Sequence, residues 1–333
     1  MNGNREPGGN AEKYFEQGIR SLDAGLVREA IEAFKYAIEL NPRDPRTYSN
    51  LGIAYELVRD YENARAAYEK AIEINPESAA TLNNLAGLSL LQGEPHEALN
   101  LYDSAIASDP LYIEPYLNIA RMFMETRKLF DAEQYVRRVL DIDKENVEAL
   151  NLLGVITNVT ERSEEAVSYF QDAIRQKSDQ PSLFSNLGTA LRNIGDMKRA
   201  IIAFEKAGEL DSDGPGILNN LGVLYRESGD MEKSERYFLR CIELYPENPF
   251  PYFNIAELYI EMGNYSRALD MLKQYVSIVP LDMDNLFKTC GIALMAGRLI
   301  DVVIEMQSFL READPLDPRK GIIERWLNKT RTG

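Results

Sequence analysis

The residue types that carry most enzymatic chemistry are scarce in this chain. Its 333 residues include one histidine, two cysteines and one tryptophan. The histidine, His96, stands beside Glu97 at the expected start of a helix, a surface setting, and it has no second imidazole with which to share a metal or relay a proton. Cys-x-x-Cys pairs, His-Glu-x-x-His, phosphate loops and dinucleotide glycine motifs are missing, and the carboxylates are spread out instead of converging. Paired acids such as Glu164 and Glu165 fall at a helix start, where negative charge complements the helix dipole. No enzyme, no metal and no cofactor is therefore expected. Long apolar runs are lacking too: none approaches the roughly 18 to 20 residues of a membrane span, and the first ten residues hold no apolar stretch of signal type. These features predict a cytoplasmic protein without membrane contact, opening on a flexible tail over residues 1–10. The third shortage is basic charge. Lysine and arginine number 37 against 53 aspartates and glutamates, a formal net charge of −16, which disfavours DNA or RNA as a ligand and favours basic or mixed-charge protein segments. The same acidity also serves solubility.

What the chain has in abundance is periodicity. A small residue returns every 34 positions, at Gly18, Gly52, Ala86, Ala120, Gly154, Gly188, Gly222, Ala256 and Cys290. A period of this length marks stacked helix-turn-helix units, each touching only its neighbours. With a unit starting seven residues before each beat, Tyr48, Leu51, Gly52 and Tyr55 make one apolar helical face, and Ala64, Tyr68, Ala71 and Ile72 make a second. Glycine costs about 1 kcal/mol against alanine inside a helix, so its return calls for a compensating close approach between helices. The facing positions on the second helix are small as well: Ala30, Ala64, Ala98, Ala132, Ala166, Ala200, Ser234 and Ala268. Gly25, Gly93, Gly195, Gly229, Gly263 and Gly297 fall where each first helix must stop, as C-terminal caps do. Cys241 and Cys290 occupy packing positions in different units, which favours buried thiols over a disulfide.

These residues resemble the tetratricopeptide repeat family, whose pattern runs aromatic, Leu-Gly, Tyr, Ala, Phe, Ala, Pro. The first unit supplies Tyr14, Gly18, Ala30, Phe34, Ala37 and Pro42; the sixth supplies Phe184, Leu187, Gly188, Ala200, Phe204 and Ala207. The match covers residues 11–316 in nine registers and weakens at the end, where Tyr275, Phe309, Thr289 and Cys290 depart from it. The resemblance implies an all-α fold, a right-handed α-solenoid superhelix of about nine repeats. Residues 317–333 hold Ile322, Ile323, Trp326 and Leu327 on one helical face, read as a C-terminal capping helix or, alternatively, a helix that docks a partner or begins a downstream domain.

In such an array the first helices line the concave surface, with repeat positions 2, 5, 6, 9, 12 and 13 facing inward. Position 6 is asparagine in six of nine units: Asn50, Asn84, Asn118, Asn186, Asn220 and Asn254. Asparagine is a mediocre helix former, and its carboxamide both donates and accepts, which suits an extended peptide backbone. This row resembles the asparagine ladder in the repeat region of O-linked N-acetylglucosamine transferase. The alternative use of these amides is to bridge neighbouring helices. Asn83, Asn193, Asn219, Arg192 and Arg226 join the six as candidate peptide-binding residues, and the stretch from Ser182 to Arg226 is the best expected contact region. The expected function is a non-catalytic scaffold, monomeric or weakly self-associating, that holds an extended segment of a partner protein. The alternatives are the substrate-recognition region of a larger glycosyltransferase and a self-assembling scaffold. A co-chaperone clamp is disfavoured, because position 5 is never basic.

Overall fold

The structure, a computed structural model, describes residues 7–280 and 282–332. All regular elements among them are helical, and they fall into two compact units, Met1–Ile156 and Thr157–Gly333.

In the first unit, first and second helices alternate: α1 (Pro7–Asp23), α2 (Val27–Leu40), α3 (Pro45–Leu57), α4 (Tyr61–Ile74), α5 (Ala79–Leu91), α6 (Pro95–Ser108), α7 (Glu114–Glu125) and α8 (Leu129–Ile142). The ninth helix, α9 (Val147–Val159), contains the dividing point. The second unit continues with α10 (Ser163–Gln176), α11 (Pro181–Asn193), α12 (Met197–Leu210), α13 (Pro215–Glu227), α14 (Met231–Leu244), α15 (Pro249–Glu261), α16 (Tyr265–Ile278), α17 (Met283–Met295), α18 (Val303–Glu312) and α19 (Lys320–Thr332). Each unit is thus a run of helix-turn-helix repeats in an all-α solenoid arrangement. The helix α1 begins at Pro7, so residues 7–10 of the expected tail are its first turn. Residues 1–6 lie outside the described residues.

Local chemistry sets the helix ends. Proline occupies the first turn of α3, α11, α13 and α15, where its missing N–H is no loss. Asp60, Asp196, Asp230 and Asn264 cap second helices by accepting from the backbone N–H three residues on. The six turn glycines all have positive φ, from 68° to 84°. At the corresponding turns of the remaining repeats stand Arg59, Arg127 and Glu161, also left-handed, with φ of 61°, 57° and 62°. The turn geometry is therefore the same with or without glycine, and side chains at those three positions sit in a costly backbone region.

The beat has a measurable cause. A Cβ built on Gly18, Gly52, Gly188 or Gly222 would stand 2.3–2.5 Å from a ring carbon of Phe34, Tyr68, Phe204 or Phe238, respectively. In each case the ring lies sixteen residues later, on the second helix, and is almost wholly buried. Where the beat is alanine or cysteine, the residue sixteen later is smaller or unbranched at the ring position: Ala120 with Val136, Ala256 with Leu272, Cys290 with Met306. Close packing holds the summed volume nearly constant. One repeat breaks the rule, pairing Ala86 with Tyr102. The small facing residues of the second helices are fully buried, and Ser234 donates its Oγ hydrogen to the carbonyl of Gly222 at 2.7 Å.

In the last repeat a 3₁₀ turn, Leu299–Val302, precedes α18, in keeping with the weakened pattern there. The helix α19 packs on α18, with Ile323 fully buried and the Trp326 ring stacked on Phe287 at 5.5 Å. Cys241 and Cys290 are both buried free thiols.

Candidate functional site: the first-helix face

Within each unit, neighbouring first helices touch one another: α1 with α3, α3 with α5, α5 with α7, and α13 with α15. The run is unbroken from α1 to α7 in the first unit, where it carries Asn50, Asn84 and Asn118, and the α13 and α15 pair of the second unit carries Asn220 and Asn254.

The amides take three roles. Some link repeats: Asn118 Nδ2 donates to Asn83 Oδ1 at 2.9 Å in the first unit, and Asn254 Nδ2 donates to Asn219 Oδ1 at 2.8 Å in the second. Asn193 Nδ2 donates to Asn158 Oδ1 at 3.0 Å. Position 5 of one repeat thus meets position 6 of the next, an offset of 35 residues, and position 12 meets position 13 at the same offset. Asn50 turns back on its own helix, donating to the Arg46 carbonyl at 2.9 Å. Asn84 and Asn220 make no side-chain hydrogen bond among the described residues, although both are half-buried on this face. Asn186 lies half-buried on α11.

The inward cations are all tied to acids. Arg46 Nη2 donates to Glu12 Oε2 at 2.9 Å, Arg121 pairs with Glu148, and Lys288 pairs with Glu257. Arg192 Nε donates to Glu227 Oε2 at 2.9 Å, and Arg226 lies 3.8 Å from Glu261. Arg192 with Glu227 and Arg226 with Glu261 repeat the 35-residue offset of Asn158 with Asn193, so three successive struts join the first helices of the second unit. One buried nitrogen, Arg226 Nη1, has no partner. Since both Arg192 and Arg226 act as struts, the Ser182 to Arg226 region presents less free charge than its sequence suggests. On the first unit the tally differs. Asp23, Glu56, Glu114 and Glu125 have no cationic partner among the described residues, which leaves this face negative.

An open cleft of about 480 Å³ interrupts the first unit's face, lined in part by Glu56, Tyr68, Asn83, Asn84, Gly87, Tyr102 and Asn118. Three expected site residues meet there. Tyr68 donates its hydroxyl to Glu56 Oε1 at 2.6 Å. Burial pushes the Glu56 carboxyl above its ordinary value, against the lowering effect of that hydrogen bond. Burial raises Tyr102 to about 12. The sequence reading missed this cleft, although the Ala86 and Tyr102 exception and the neighbouring Gly87 were visible in the pattern.

Models of the tetratricopeptide repeat match residues 23–58, 45–78, 67–100, 89–156, 181–213 and 215–280, together more than half of the chain. The chain belongs to the tetratricopeptide repeat family. Among solved structures, this tetratricopeptide repeat chain is similar to Pseudomonas aeruginosa pilF, at 23% identity over 65% of the chain and 100% of that protein, with a TM-score of 0.57. The C-terminal part of a repeat protein from Cytophaga hutchinsonii is similar at 18% identity, covering 72% of the chain and 98% of that structure, TM-score 0.56. A repeat protein from Parabacteroides merdae matches at 20% identity, 71% and 94% coverage and a TM-score of 0.53. At these identities the likeness is one of fold. An uncharacterized protein of Methanocaldococcus jannaschii is 38% identical over 55 residues, 16% of the chain, and the match spans 64% of that relative's length. No described helix is long and apolar enough to cross a membrane.

Proposed function

We propose that the chain is a non-catalytic interaction scaffold whose first-helix faces hold an extended segment of a partner protein. The observation that carries this reading is the pair of half-buried amides without intramolecular bonds, Asn84 in the first unit and Asn220 in the second. A half-buried carboxamide left without a partner forgoes about 1 kcal/mol of hydrogen bonding, and an extended backbone presents the alternating N–H and C=O groups that it matches. The paired amides give support of another kind. In Asn118 with Asn83 and Asn254 with Asn219, the linking bond holds each amide in one orientation, which lowers the ordering cost of a further contact.

Such a scaffold would be expected to prefer basic or mixed-charge segments, since the uncompensated charge on the first unit's face is negative. The test is selection of random displayed peptides on the full chain, followed by affinity measurement for synthetic versions. Removing one of the two unbonded amides, by Asn84→Ala or by Asn220→Ala, should weaken a peptide held at that unit about fivefold, the equivalent of one net hydrogen bond. Affinities that ignore both substitutions would overturn the reading.

A further inference from the structure

We propose that the cleft between α3, α5 and α7 is a pocket for one basic side chain, arginine or lysine, of the bound segment. This rests on the peptide-holding reading above and adds to it the identity of one anchoring residue.

The opening comes from a local breach of the packing rule. In the other repeats that carry an aromatic ring sixteen residues after the beat, a glycine at the beat receives it, whereas here Ala86 holds the beat and the glycine is one residue later, at Gly87. A Cβ built on Gly87 meets only the Tyr102 hydroxyl, at 3.8 Å. Other repeats fill this inward position with larger residues such as Ile53, Arg121, Thr189 and Glu257, and only Gly291 matches it. The missing side chain exposes the Tyr102 hydroxyl at the cleft floor, although the residue as a whole is 2% exposed. That hydroxyl has no partner among the described residues.

The chemistry of the lining selects for a cation. Glu56 uses Oε1 to accept from Tyr68, and its other oxygen is uncommitted. The Asn84 carboxamide and the Tyr102 hydroxyl supply two more acceptors. Ile53 and Leu57 form an apolar wall, with Leu57 59% exposed, against which the methylene stem of arginine or lysine can lie. A cation that acts on Tyr102, Arg121, is held by Glu148 and by Asn118 Oδ1 at 2.8 Å. An apolar side chain would desolvate Glu56 without compensation, and an acidic one would meet it as a like charge.

Random peptides displayed against the full chain test the assignment. The selected sequences should share an arginine or lysine at one position, and exchanging the two in synthetic peptides shows which head group the pocket prefers. Replacing that residue by alanine should weaken binding about tenfold or more, the loss of a charge-assisted contact. Glu56→Gln keeps the acceptor for Tyr68 and should weaken the parent peptide by a similar factor, with no further loss for the alanine peptide. Gly87→Leu fills the cleft and should act likewise while leaving the far-UV spectrum unchanged. Selected peptides without a shared basic position, or affinities that Glu56→Gln leaves intact, would overturn the pocket and leave the scaffold reading standing. Failure to select any peptide would overturn both.

Discussion

Replacing Gly188 by alanine separates packing from helix propensity. On an open helix the change stabilises by about 1 kcal/mol. Here the new methyl would stand 2.4 Å from Phe204 Cδ2 and 2.5 Å from Cε2, and Phe204 is 1% exposed, so the ring has no solvent side to move toward. Overpacking of this kind costs about 1–3 kcal/mol; set against the helix-propensity gain of about 1 kcal/mol, the net should lie between no change and a loss of about 2 kcal/mol. Gly87→Ala is the control, since its methyl meets nothing closer than 3.8 Å; it should gain about 0.5–1 kcal/mol. Pairing Gly188→Ala with Phe204→Leu imitates Ala256 with Leu272, and the double variant should lose less than the sum of the singles by about 1 kcal/mol or more. Guanidinium unfolding followed by far-UV circular dichroism measures all four. Hydrogen exchange in α11 and α12 shows whether the loss is local, as expected for a stack in which each repeat contacts only its neighbours. Gly188→Ala gaining as much stability as Gly87→Ala, or strict additivity with Phe204→Leu, would refute the size-complementarity account.

Three further outcomes follow from the same structure. Arg127→Gly, at a turn with φ of 57°, should raise stability by about 0.5–1 kcal/mol by relieving the left-handed conformation, as read from the unfolding midpoint. The Cys290 thiol, pushed up to about 12 by burial, and the buried Cys241 should resist a disulfide reagent at mildly alkaline pH in the native protein and react at once in denaturant. Glu56 has a carboxyl raised by burial, so the folded state holds its proton more tightly than the unfolded state, and this group's contribution falls as pH climbs from the ordinary carboxylate value through the raised one. Glu56→Gln should therefore flatten the pH dependence of stability across that window; an unchanged profile in denaturation series would count against the burial argument.

The scaffold was legible in the sequence because its requirements recur at fixed phase. The beat glycines, the small residues facing them and the turn glycines each answer one demand of helix packing or backbone geometry, so a 34-residue comparison exposes them. The same comparison points to Arg59, Arg127 and Glu161 as residues at a glycine position. The roles of the asparagines were less legible. Position 5 and position 6 adjoin along one helix, but the hydrogen bonds run to the next repeat at an offset of 35, which depends on how far one first helix is shifted along its neighbour. Arg192 and Arg226 looked like free groove cations for the same reason. Their acids, Glu227 and Glu261, lie one repeat away, and a count of inward charges does not show which of them cancel.

The departures from the repeat carry more functional information than the repeat itself. Where Gly and an aromatic ring occupy their usual phases, the ring packs directly against the glycine of the first helix, as Tyr68 does on Gly52. Moving the glycine by one position, from the beat to Gly87, leaves the Tyr102 side chain buried but places its hydroxyl at the cleft, whose lining includes the Glu56 carboxylate, without a cationic partner among the described residues. A one-residue shift in where the small residue falls is enough to convert a packing contact into a polar cleft. Such phase errors in a repeat array mark candidate binding positions, because an unfilled position next to unpaired polar groups costs stability that the fold alone does not recover.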